Sequence, residues 1–184
     1  GIQLALAVLL YSIQIYADFS AYCDIVIGMA QILGIQLAEN FNHPYFATSP
    51  IDFWRRWHIT LSNWLRDYIF YPLNFAARRN LTGWVQTRNI LLVFLFSGLW
   101  HGASWTFVIW GTLHGLYMVA ERRAEAATTP RRAERIPSGG DGPVTTGPAT
   151  PARLFEPGLG RRVLARIRTF HLVCLGWIFF RAPS

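Results

Sequence analysis

The sequence predicts an all-α fold, a polytopic membrane helical bundle carrying an interfacial amphipathic helix and a disordered loop. Three observations predict it. Of 184 residues, 52% are hydrophobic and 15% aromatic, and the mean hydropathy is positive, which leaves too little polar surface for an ordinary soluble domain. The apolar residues gather into runs near the ~20-residue length that a bilayer span needs. All 17 basic residues are arginines, and all but Arg181 are placed at 55–88, 122–135 and 153–168 between those runs, as the positive-inside rule expects of cytoplasmic loops. The pI of 10.1 is therefore loop charge, and no nucleic-acid partner is expected.

Taken in order, residues 1–16 and 21–37 read as two membrane helices separated by Ala17, Asp18, Phe19 and Ser20. Asp18 and Asp24 lie within or beside these runs, where a charge is costly and faces protein or water; for Asp18 an interfacial or capping role is the alternative. The opening run has no charged n-region or small-residue cleavage site, so it does not read as a signal peptide. A chain that opens and closes inside apolar runs is expected to be a piece of a longer protein.

Breakers at Asn40, Asn42 and Pro44 mark a loop, and Ser49, Pro50 and Asp52 supply an N-cap, a first-turn proline and a first-turn acid. An interfacial helix is predicted over 50–71. At helical spacing Trp54, Trp57, Leu61, Trp64, Leu65 and Tyr68 share one stripe, with Arg55, Arg56, Asn63, Arg66 and Asp67 opposite. His58 falls on the apolar stripe, so its imidazole is expected to be buried or to face a site.

The stretch 90–120 is flanked by arginines on both sides, which favours an even number of crossings, yet 31 residues reach only ~47 Å as one helix. A broken helix or hairpin turning near Ser97 to Ser104 satisfies both facts and places His101 deep in the membrane. These segments make up a core over 1–121. A basic Pro/Ala/Arg loop over 122–162 reads as disordered, and 163–184 as the start of a further membrane helix.

Cys23 and Cys174 form neither a CxxC pair nor a disulfide framework, and no HExxH or His-x-x-x-His spacing occurs, so no metal is expected. GxSxG, P-loop and GxGxxG motifs are absent too. His58, His101, His114 and His171 stand within or beside apolar sequence, where ionisable residues are functional candidates. His101 sits in Gly98-Leu99-Trp100-His101-Gly102, whose glycines let a substrate approach the ring. A histidine there suits a general base on an alcohol. Acyl transfer also needs donors for the oxyanion, and His101 and His58 can divide those duties; a plain interhelical hydrogen bond is the alternative for His101. His114 would lie ~220° from His101 on a continuous helix and need not share its site. His43 and His171 read as a loop residue and an interfacial one.

Three stretches together resemble one family: Tyr16-Ala-Asp-Phe-Ser-Ala-Tyr-Cys-Asp24; Asn40-Phe-Asn-His-Pro-Tyr45 through Asp52-Phe-Trp-Arg-Arg-Trp-His-Ile-Thr-Leu-Ser62; and Gly98-Leu-Trp-His-Gly-Ala103 with Trp110-Gly-Thr-Leu-His-Gly115. They are similar to membrane-bound O-acyltransferases of the alginate O-acetyltransferase and teichoic-acid D-alanyl transferase branch. The resemblance implies a catalytic role for His101, a second active-site role for His58 that lines a tunnel or orients substrate, and a supporting role for His114, with packing as its alternative. It implies transfer of an acetyl or other acyl group from a cytoplasmic donor, acetyl-CoA or an acyl carrier protein, with no bound cofactor, to an exported polysaccharide such as alginate or to a partner transferase in the periplasm or outside the cell. It implies a multi-pass protein of the bacterial inner membrane, in contact with the lipid bilayer, and a piece that is inactive alone. The competing readings are a transporter or channel fragment, which would carry paired charges along its spans, and an inactive truncated membrane subunit.

Overall fold

The computed structural model describes residues 1–128 and 158–182, and among these every regular element is helical. Helix α1 runs unbroken over Ile2–Ile32, so the two expected spans at 1–16 and 21–37 are one. The Ala17-Asp18-Phe19-Ser20 stretch holds two polar side chains but no Gly or Pro, and polarity alone does not end a helix. The stop comes at Gly34, whose φ of +75° is a left-handed conformation that glycine adopts cheaply. Most of α1 is exposed, with Ile2, Leu6, Leu10, Ile13, Ile25, Met29 and Ile32 pointing outward. Helices α1 and α7 are each long and apolar enough to cross a bilayer.

The expected continuous helix over 50–71 is instead broken. Ser49 caps α2 (Pro50–Trp54), accepting from the Asp52 amide at 3.1 Å, and the Asp52 carboxylate takes the Thr48 amide at 3.1 Å and the Arg56 guanidinium at 2.7 Å. The backbone then turns through His58, at φ 43°, before α3 (Ile59–Leu65), a π-turn over Arg66–Phe70 and α4 (Tyr71–Ala76). Left-handed backbone costs a non-glycine residue about 1–3 kcal/mol, and here the preceding loop holds it. Asn42 donates its amide to the Arg56 carbonyl, Ile59 donates to the Asn40 carbonyl, and Asn40 Oδ1 accepts from Thr60 N and Thr60 Oγ1 at 3.2 and 2.7 Å. The hydrophobic stripe was real, since Trp54, Trp57 and Leu65 are buried, but Trp64 and Tyr68 are not.

Helices α5 (Gly83–His101) and α6 (Trp105–Thr128) form a hairpin that turns at residues 102–104. Ser104 opens α6: its side chain accepts from the Thr106 amide and its carbonyl from the amides of Phe107 and Val108. The two helices touch backbone to backbone at Gly98 and Gly111. A Cβ on Gly98 would run into the Phe107 carbonyl oxygen, and one on Gly111 into that of Phe94. Small residues at a crossing are how membrane helices approach closely.

Helix α7 (Leu159–Arg181) lies against α1, α2 and α6. The boundary expected at 122 is displaced, because α6 continues to Thr128 and α7 already begins at Leu159. Residues 122–128 are Arg, Ala, Glu and Thr, and an Arg/Ala/Glu tract that looks polar and featureless is also rich in good helix formers. The rest of the expected disordered loop lies outside the described residues. At the centre, Phe53, Trp54 and Trp57 of the broken segment meet Trp110, Val173 and Trp177 in an aromatic core, each aromatic pair adding about 0.5–1.5 kcal/mol beyond its buried area.

Candidate active site

The break at 55–58 and the hairpin turn at 102–104 bring His58 and His101 to one cleft of about 500 Å³. Its remaining walls are Trp54, Trp57, Leu61, Trp100, Trp110, Trp177 and Phe180, with a face of α1 closing the side. His101, the last residue of α5, stands among the rings of Trp100, Trp110 and Phe180, with centroids 4.9, 4.9 and 5.4 Å away. Its Nδ1 lies 2.7 Å from the Ser97 carbonyl oxygen. A carbonyl only accepts, so Nδ1 carries the proton, and in the neutral ring Nε2 is left with the lone pair. That is the tautomer a general base needs.

His58 is arranged alike. Its Nδ1 is 3.1 Å from Asn40 Oδ1, and that oxygen is fixed as an acceptor by the Thr60 amide, so again Nδ1 donates and Nε2 accepts. Phe19 packs edge-on at 4.8 Å. Burial, and then the neighbouring His101, push the His58 imidazole down to about 4, so it is neutral near pH 7. A neutral ring with its free nitrogen unprotonated cannot donate to an oxyanion, so His58 suits holding a hydroxyl and not stabilising negative charge.

His114 is elsewhere. It is 1% exposed, lies 5.1 and 5.2 Å from the rings of Trp110 and Trp54, and is absent from the residues lining the cleft. Among the described residues its Nε2 has no hydrogen-bond partner, and it faces the α carbon of Gly176, where a Cβ would sit 2.5 Å from it. His43, in the loop, and His171, exposed on α7 with Nδ1 on the Ile167 carbonyl, take no part in the cleft. Among the described residues no three His, Cys, Asp or Glu side chains gather into a metal site.

Sequence reasoning gave no site role to Tyr11, Gln14, Asp18 and Tyr22, which line the cleft from α1. Their signal was present: polar groups spaced three and four apart within an otherwise apolar run occupy one helix face.

The model of the MBOAT family, the membrane-bound O-acyltransferases, matches residues 1–135. The chain belongs to this family. Among its relatives, the peptidoglycan O-acetyltransferase of Helicobacter pylori is 41% identical over 183 residues, covering 100% of this chain and 29% of that protein. The probable alginate O-acetylase of Azotobacter vinelandii is 39% identical over 180 residues, 97% of this chain and 30% of that one. The teichoic acid D-alanyltransferase of Bacillus subtilis is 32% identical over 176 residues, 92% of this chain and 39% of its own. The chain thus spans well under half the length of these relatives. As a member of the family it is membrane-bound, and α1 and α7 have the length and apolarity for that.

Proposed function

We propose that the full-length protein carrying this segment is an O-acyltransferase of the bacterial inner membrane, multi-pass, that moves an acetyl or other short acyl group from a cytoplasmic donor to a hydroxyl of an exported polysaccharide or to a partner transferase. The observation that carries the reading is His101, a cleft residue whose Nδ1–H is committed to the Ser97 carbonyl at 2.7 Å, making Nε2 the ring's basic atom. The names of its relatives, two O-acetylating enzymes and a D-alanyltransferase, support acyl chemistry.

In the proposed step the acceptor hydroxyl oxygen attacks the carbonyl carbon of a thioester donor, acetyl-CoA or an acylated carrier protein. Its proton passes to Nε2 of His101 as the new C–O bond forms. The tetrahedral oxyanion then collapses, the C–S bond breaks, and the departing thiolate takes the proton back from the imidazolium. His58 Nε2 accepts from a neighbouring hydroxyl of the acceptor and so holds the attacking one in line. His114 keeps the wall behind the cleft in place. No bound cofactor is required.

The test is O-acetylation of exported polymer in cells carrying the full-length gene, comparing His101→Ala and His58→Ala with wild type at matched membrane levels. Loss of at least ~100-fold is expected for His101→Ala, and about tenfold for His58→Ala. Undiminished acetylation by the inserted His101→Ala protein would sink the proposal.

A further inference from the structure

Asp18 lies near the middle of α1, and Tyr11, Gln14, Asp18 and Tyr22 make a polar stripe along one face of that helix, roughly 17 Å long at ~1.5 Å per residue. All four line the cleft that holds both histidines. Asp18 is exposed on that face, and a carboxylate within an apolar span is expensive unless it meets water, protein or a ligand. Among the described residues no hydrogen bond or salt bridge reaches its oxygens. Nor does it orient either imidazole, since Nδ1 of His58 is held by Asn40 and Nδ1 of His101 by the Ser97 carbonyl. Its acceptor oxygens are left for what enters the cleft.

A carboxylate only accepts, so its complement is a molecule rich in hydroxyl donors. The Gln14 amide adds a donor and an acceptor one turn away, and the Trp100 indole, 58% exposed, offers a flat apolar face in the same cleft. Hydroxyl edges against carboxylate and amide, with C–H faces on an aromatic ring, is the chemistry of carbohydrate recognition. We infer that Asp18, with Gln14, binds the neighbouring hydroxyls of a polyhydroxyl acceptor and so presents one of them to His101. Asp18 takes no proton in the transfer; it is a binding residue for the acceptor. The inference rests on the acyltransferase reading above and names its acceptor-side contact.

The test uses the purified full-length protein in lipid nanodiscs with acetyl-CoA as donor, and glycerol and propan-1-ol as acceptor probes. Ester formation and CoA release are both followed. Wild type should favour glycerol. Asp18→Asn should lower kcat/KM for glycerol at least about tenfold, or ~1.4 kcal/mol, while propan-1-ol transfer and hydrolytic CoA release stay within about twofold, and Asp18→Glu should restore part of the glycerol preference. Loss on both alcohols alike, no loss on glycerol, or a wild type without glycerol preference overturns the assignment. His101→Ala in the same assay separates the two claims: surviving ester formation overturns the acyltransferase reading itself, whereas its abolition beside an indifferent Asp18→Asn overturns only the acceptor contact.

Discussion

His101 and His114 both pack against one indole, Trp110, with ring centroids 4.9 and 5.1 Å away, yet their surroundings give them different work. His101 donates through Nδ1 to a carbonyl and lines an open cleft. His114 is sealed among Trp54, Trp110 and Tyr117, its Nε2 against the bare α carbon of Gly176. The difference teaches that an intramembrane histidine is assigned by what stands before its second nitrogen. Substituting each by glutamine tests that directly. His101→Gln should lower polymer acetylation at least ~100-fold with the membrane level unchanged. His114→Gln should lower the amount of inserted protein, while acetylation per inserted molecule stays within about threefold of wild type, as expected of a packing residue. A comparable per-molecule loss at both positions would erase the distinction.

The two regions depend on the hairpin between them. At Gly98 and Gly111 a methyl group would meet carbonyl oxygens of the opposite helix, and backbone cannot swing aside as a side chain can. Gly98→Ala and Gly111→Ala should each cost about 3 kcal/mol, the upper part of the overpacking range, seen as a lower thermal midpoint of the full-length protein in detergent. Gly83→Ala, with nothing within 4 Å, is the control and should be neutral or slightly stabilising.

The sealed side has its own test. A methyl at Gly176 would sit 2.5 Å from His114 Nε2, so Gly176→Ala should cost about 1–3 kcal/mol by overpacking. His114→Ala, which empties that space, should cost about 2–5 kcal/mol as a cavity. Combined, the two should fall short of their sum by about 1 kcal/mol or more, because the new methyl occupies room the imidazole has left. Strict additivity would mean that α6 and α7 do not meet at this contact.

The helical character of the fold and the turn between Ser97 and Ser104 were legible in the sequence, and His58 and His101, both singled out there, line one cleft. Hydrophobic runs, glycine pairs and capping residues are local signals, and those features are local. What could not be read was set by distant residues. The break before α3 depends on Asn40, eighteen positions before His58, and no periodicity in 50–71 reveals it. Nothing local reveals the continuity of α1 through Asp18, because the carboxylate borders a cleft built from four other segments. His114 offered no local clue that Gly176, far along the chain, would close over it.

The smallest expected effect concerns His58, which shares the cleft with His101. Burial, then His101, lowers its folded value to about 4, against ~6.5 for an unperturbed imidazole. Between those values the unfolded chain binds a proton that the folded chain refuses. The contribution is therefore fully present above about pH 6.5 and is lost as pH falls toward about 4. Asparagine tolerates the left-handed backbone at this position and does not titrate. His58→Asn should thus flatten the decline in thermal midpoint between about pH 7 and about pH 5 relative to wild type. The two proteins differ at this one side chain, so the difference between the two slopes isolates this ring. Parallel slopes would mean that the cleft admits enough water to charge His58, moving it toward the exposed character of His171 and away from a neutral hydrogen-bond acceptor for the incoming hydroxyl.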